Sequence, residues 1–172
     1  MGQTTFQGPV RSLNGFYSQG PGTIVTVGSA TLTLDPATHG GKLLVITAAT
    51  TTITLPAINA TANPNSSGPG SDPNTPNNLG VTYAFVNTVV AAAIKVLAPA
   101  GNFLLGSAMV TAAIPSGFFA NGNAVRSINL NGTTTGGVVG CYFTITAITS
   151  TQYLVQGELP GAGTLATPFA NS

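Results

Sequence analysis

The sequence predicts an all-β fold, either an antiparallel β-sandwich or a jelly-roll-like barrel. Helix formers are scarce, because the chain holds 22 Gly and 12 Pro and few Glu, Lys or Gln residues. Short segments alternate threonine with large aliphatic residues, as in "TIVTV", "ATLTL" and "TITLP". Turn-forming residues separate these segments, which is the spacing typical of strands in a sandwich or barrel.

The first two strands flank Gly28 and Ser29, and this Gly-X pair predicts a tight hairpin. Leu32 and Leu34 would then face the core, with threonines on the opposite side. Next, "KLLVIT" and "TITLP" predict a second hairpin across residues 48–51. Its second arm presents Ile53 and Leu55 on one face, and its outer threonines could contact a neighbouring subunit without burying charge.

Five later segments complete the predicted sheets. "VTYAFVN" and "AAIKVLA" alternate in the same way, and the second of them directs Lys95 outward. "AVRSINLN" is a weaker strand that carries Arg126, Ile128 and Leu130 on one side. "CYFTITAI" and "TQYLVQGEL" surround Thr149 and Ser150 and predict a final hairpin.

Two segments lie outside this pattern and set the predicted domain organisation. Residues 1–22 form an extended N-terminal arm, since Gly and Pro interrupt it and its apolar residues have no period. The arm either contacts another surface or folds over its own domain. Residues 23–172 form one β domain, in which residues 58–80 are a long flexible loop rich in Pro, Gly and Asn. A linker between two domains is the less favoured interpretation, because the first fifty residues would make a very small domain.

The charge content is the most informative feature of the composition. Only 4% of the residues are charged and the formal net charge is +1, whereas an ordinary globular domain is about 25% charged. We therefore expect no nucleic-acid partner. A surface with so little charge also lacks the repulsion that keeps monomers apart, so we expect copies of the chain or a host assembly to cover part of it.

We expect no membrane partner. The N-terminal residues lack the apolar stretch of a secretory signal. The longest apolar run, residues 89–98, is interrupted by Lys95 and is shorter than the about 20 residues that a membrane helix needs.

The titratable residues do not form a recognisable catalytic motif. Asp35 and His39 lie in "LDPATHGGK", which is first a turn sequence and brings no nucleophile. Asp72 lies in the long loop, and Glu158 stands alone. The single Cys141 is expected to be a small buried apolar residue. One Cys and one His are too few for an ordinary zinc site. Because no catalytic motif is present, we also expect no cofactor, no small-molecule substrate and no enzymatic activity.

Three Asn-X-Ser/Thr sequences occur at Asn59, Asn65 and Asn131, but Asn and Thr are so frequent that chance explains them. The glycine-rich strings "SSGPGSDP" and "TTTGGVVG" lack the strand–loop–helix context of phosphate loops. We therefore expect neither glycosylation nor a nucleotide site.

The C-terminal two thirds of the chain carry a recognisable order of short motifs. "ITLP" is followed by a loop, "GVTYAFVN", "AIKVLAPAGNFLLG" and "GCYFTITAITSTQYLVQGELPGAGTLATPFA". This order resembles bacteriophage head decoration (cement) proteins and related virion structural proteins, over residues 52–169. The insertion at residues 59–80 and the arm before Gly22 depart from the resemblance.

The resemblance implies a β-rich virion protein that is made in the host cytoplasm and binds the outer surface of the head. Its implied partners are the major capsid protein and two further copies of itself in a homotrimer, and it implies no active site. For the capsid contact we nominate four residues of the arm: Phe6, Arg11, Phe16 and Tyr17.

Three alternatives stay open. A trimeric tail-fibre or receptor-binding domain would use the same architecture to bind a glycan, although the chain has no Trp and four Tyr. An enzyme of unrecognised type would depend on His39. A shell-forming subunit is disfavoured, because no long charged helix and no basic arm are present in the sequence.

Overall fold

The computed structural model describes residues 24–60 and 78–172. The nominated arm residues Phe6, Arg11, Phe16 and Tyr17 and most of the predicted long loop, including Asp72, lie outside the described residues. The described chain contains one short helix, α1 (Pro36–His39), and twelve strands. The strands are β1 (Ile24–Val27), β2 (Thr31–Thr33), β3 (Leu43–Ile46), β4 (Thr50–Thr54), β5 (Thr82–Asn87), β6 (Ala93–Leu97), β7 (Phe103–Thr111), β8 (Ser116–Asn121), β9 (Ser127–Leu130), β10 (Tyr142–Ala147), β11 (Gln152–Pro160) and β12 (Phe169–Ala170).

The strands form two sheets, which confirms the all-β prediction and fits a β-sandwich. Sheet A has the order β1-β3-β5-β10-β11-β7-β8, and sheet B has the order β12-β9-β6-β4-β2. The sheets are mixed and not antiparallel throughout. Parallel pairing joins β1 to β3, β3 to β5, β2 to β4, β4 to β6 and β7 to β11. The prediction of an antiparallel sandwich is therefore corrected in this respect.

The first six strands alternate between the two sheets and wind through three successive coils. The odd-numbered strands β1, β3 and β5 pair in parallel in sheet A, while β2, β4 and β6 do so in sheet B. Each coil ends on a similar short sequence: "TLTLDP", "TITLP" and "IKVLAP". The backbone ladder continues through these ends, since Leu34 N donates to Thr54 O and Leu55 N donates to Leu97 O.

Both predicted N-terminal hairpins are therefore wrong. Gly28-Ser29 lies between β1 and β2, and residues 47–49 lie between β3 and β4. Each segment connects strands of different sheets instead of closing a turn between paired strands. A two-residue hairpin that starts with glycine needs a positive φ at that glycine, and Gly28 is not among the described glycines that have one. Alternation of side chains specifies the face of a strand but not its neighbour, and this explains the error.

The predicted inward faces are confirmed. Ile53 and Leu55 are buried, and so are Tyr83, Phe85 and Ile94. In sheet B a single row of side chains runs across all five strands because the registers bring its members opposite one another. The row consists of Leu32, Ile53, Val96, Ile128 and Phe169.

The C-terminal hairpin between β10 and β11 is confirmed, with Ala147 opposite Tyr153 and Tyr142 opposite Glu158. The hairpin of β7 and β8 was not predicted, because Gly106, Ser107 and Gly117 interrupt the apolar alternation there. Gly106 is required by the structure: its φ is +120°, and a Cβ at this position would overlap the carbonyl oxygen of Val155.

Candidate interaction surfaces

Asp35 and His39 form a helix cap. Asp35 Oδ1 accepts a hydrogen bond from Thr38 N at 2.8 Å, which caps the first turn of α1. His39 Nδ1 accepts a hydrogen bond from the backbone N of Asp35 at 2.9 Å. The two residues thus stabilise the local turn, and the prediction of a turn-forming sequence is confirmed.

Cys141 is buried with no exposed surface, as predicted. Burial raises the pKa of its thiol to about 12, although a backbone hydrogen bond from Gly137 acts in the opposite direction. Tyr83 and Tyr153 are buried too. Burial, with a smaller effect of the Asp35 charge, raises the pKa of Tyr83 to about 12. Burial also raises the pKa of Tyr153, whose hydroxyl donates to Pro56 O at 2.7 Å.

The raised pKa values of Cys141, Tyr83 and Tyr153 predict that the protein loses stability in alkali. An unfolded chain releases the Cys and Tyr protons from about pH 9 to 10, whereas the folded chain holds them to about pH 12. The folded state binds more protons over this interval, so the contribution of these groups to the free energy of unfolding is fully present below about pH 8 and is lost as the pH rises towards 12. Each group contributes a slope of up to about 1.4 kcal/mol per pH unit.

Urea unfolding at pH 8, 9.5 and 10.5 measures this slope. A Cys141→Ala variant is the control, because it removes the group that titrates first and should flatten the curve between pH 9 and 10. Equal unfolding free energies at all three pH values would contradict the prediction.

The part of the chain that the structure describes offers neither a metal-ligand cluster nor a helix of membrane-spanning length. Within residues 24–60 and 78–172, no three His, Cys, Asp or Glu side chains lie close enough to hold a metal ion. In the same ranges no helix has the length and apolar character needed to cross a bilayer.

The outer face of sheet A carries several exposed apolar side chains. The strand registers define two outward rows that cross all seven strands, and eight of these fourteen positions are apolar. Phe119 is 77% exposed, while Tyr142 and Met109 are about half exposed. We call these two rows the sheet A face. They contain Ile24, Leu43, Ala84, Thr144, Gln156, Ser107 and Phe119, and Thr26, Val45, Val86, Tyr142, Glu158, Met109 and Gly117.

Two strands carry a sequence signal for this surface. β3 reads "LLVI" without alternation, and β5 contains "YAFV". Strands that are apolar on both faces are typical of sheets covered on both sides. One side of sheet A packs on the core, and its other side carries apolar residues as well.

The outer face of sheet B is polar by contrast. Thr31 lies opposite Thr52, and Thr33 lies opposite Thr54. Lys95 follows in the next strand, opposite Thr52 on one side and Asn129 on the other. The outward direction predicted for Lys95 is confirmed by its partial exposure.

The surface cavities of the described chain include two that have room for a small molecule. The first, of about 680 Å³, lies between residues 112–116 and residues 161–165 and has no titratable side chain in its lining. The second, of about 410 Å³, lies on sheet B. We call it the Lys95 groove; its polar lining residues are Thr50, Thr52, Lys95, Asn129, Asn131 and Thr135.

Comparison of the chain with protein-family models, with curated protein sequences and with solved structures found no match. The proposed function therefore rests on the sequence motifs and on the surfaces described above.

Proposed function

We propose that the chain is a structural virion protein that binds the outer surface of a phage capsid and stabilises it as a homotrimer. The observation that carries this proposal is the sheet A face, an apolar surface on a sandwich whose other outer face is polar. Together with the order of motifs in the sequence, it favours a protein that acts by burying surface.

The sheet A face suits a contact between copies of the chain. Burying exposed side chains such as Phe119 and Tyr142 stabilises a contact by about 25 cal/mol per Å² of apolar area removed from water. Glu158 is the one ionisable carboxylate in the two rows, so few charges would have to be desolvated. We place the contact here and not on the sheet B threonines, which the sequence alone favoured.

Attachment to the capsid would be multivalent. A modest contact per subunit is multiplied when three subunits engage a lattice together, because the second and third contacts form at high effective concentration. The arm residues Phe6, Arg11, Phe16 and Tyr17 remain our nominated contact with the major capsid protein. No enzymatic step and no cofactor form part of this proposal.

A trimeric tail-fibre or receptor-binding domain is the second candidate, and the polar Lys95 groove is the observation that favours it. The two candidates place the chain at different positions in the particle. Locating the chain in purified virions of the phage that encodes it therefore tests the proposal and separates it from the alternative.

A further inference from the structure

We propose that the Lys95 groove binds an acidic sugar, that is, a saccharide unit that carries one carboxylate. This inference is independent of the proposed capsid role, since it concerns sheet B of the purified chain and not its place in a virion. It rests on the charge, the shape and the rigidity of the groove.

The charge of the groove is uncompensated. No Asp or Glu lines it, and Lys95 makes no ion pair and no side-chain hydrogen bond within residues 24–60 and 78–172. A Lys ammonium has three donors and pairs readily with an anionic oxygen. One positive charge matches the single negative charge of a carboxylate.

The volume of the groove is larger than a simple anion such as acetate needs. Its volume of about 410 Å³ lies within the range of about 300–1,000 Å³ typical of small-molecule sites. Ala93 lines it with a small side chain and lies opposite Thr50 of the neighbouring strand, which leaves room above β6. Thr50, Thr52 and Asn129 line the groove, and their side chains carry hydroxyl and amide groups of the kind that hydrogen-bond sugar hydroxyls.

One wall of the groove is held rigidly. Asn131 Oδ1 accepts hydrogen bonds from Thr133 N at 3.0 Å and from Thr135 N at 3.1 Å. Asn131 Nδ2 donates to the hydroxyl of Thr134 at 2.9 Å. On the neighbouring strand, Asn129 Nδ2 donates to Ser127 Oγ at 3.1 Å. A wall that is already ordered loses less entropy on binding a ligand than a flexible one.

The test is an NMR titration of the purified full chain with three probes that separate the parts of the ligand. Digalacturonate carries hydroxyls and carboxylates, digalactose carries hydroxyls only, and acetate carries a carboxylate only. We expect digalacturonate to shift the amide signals of residues 93–95 and 129–131. We expect digalactose to bind about tenfold more weakly, because it lacks the charge-assisted contact with Lys95.

Two variants locate the site. Lys95→Gln should weaken digalacturonate binding about tenfold or more, and Ala93→Leu should abolish it by filling the groove. Lys42→Gln, which removes a cation outside the groove, is the matched control and should bind like the unmodified chain. Thermal unfolding of each variant confirms that it is folded.

Three outcomes would overturn the proposal. These are no shift with digalacturonate, equal affinity for acetate at the same signals, and unchanged affinity in both groove variants. None of them bears on capsid binding, so this proposal and the proposed function fail separately.

Discussion

Replacing Phe143 with Ala is expected to lower the free energy of unfolding by about 3–5 kcal/mol, the range measured when a buried aromatic side chain is truncated. Phe143 is 1% exposed and stacks on Phe85, with ring centroids 4.9 Å apart. Its row continues through Gly157 and Ala108 to Phe118. A Cβ at Gly157 would overlap Phe143, so the backbone of the neighbouring strand is already packed against this residue.

Urea unfolding monitored by circular dichroism measures the loss. Thr144→Ala is the matched control, because Thr144 is the next residue of the same strand and points to the outer face. Its unfolding free energy should change by less than about 1 kcal/mol. If Phe143→Ala were as mild as the control, the described packing of the two sheets would be wrong.

The double variant Phe119→Asp, Tyr142→Asp is expected to abolish self-association and to weaken binding to undecorated heads more than a hundredfold. Both residues lie on the sheet A face, where a carboxylate would have to be buried without a partner in the proposed trimer. Position 142 is also opposite Glu158, so the new charge adds repulsion on the same surface.

Light scattering and co-sedimentation with heads measure the two effects. The unmodified chain should have three times the 17.1 kDa mass of one chain, and the double variant should have the mass of one. Thr33→Asp, at an exposed position on the opposite sheet, is the control and should behave like the unmodified chain. A double variant that remains trimeric and binds heads would show that the sheet A face is not the contact.

The sequence predicted the faces of the strands well but not their neighbours. The core positions Ile53, Leu55, Phe85 and Val96 follow from alternation with a period of two, and this period is the same in parallel and antiparallel strands. Pairing depends on contacts distant in sequence, such as Thr31 opposite Thr52, for which alternation gives no information. The sequence does contain one indication of the parallel pairing. The similar strings "TLTLDP", "TITLP" and "IKVLAP" each end one of the three coils.

The candidate surfaces were predictable only in part. Lys95 was expected to point outward, but its groove combines residues of β4, β6 and the end of β9, which only the fold brings together. The sheet A face was visible as the unbroken apolar run "LLVI". Its extension to Met109 and Phe119 depends on β7 and β8. Glycines interrupt the apolar alternation of these two strands, so the sequence did not predict them.

The most direct test of the central claim is a cryo-electron microscopy reconstruction of virions purified from cells that produce the chain. We predict density for three β-sandwiches at each site, repeated with the symmetry of the head on its outer surface, with the sheet A faces turned towards one another. Density for the chain only in the tail or at a single vertex, or absence of the chain from the particle, would contradict the proposed function.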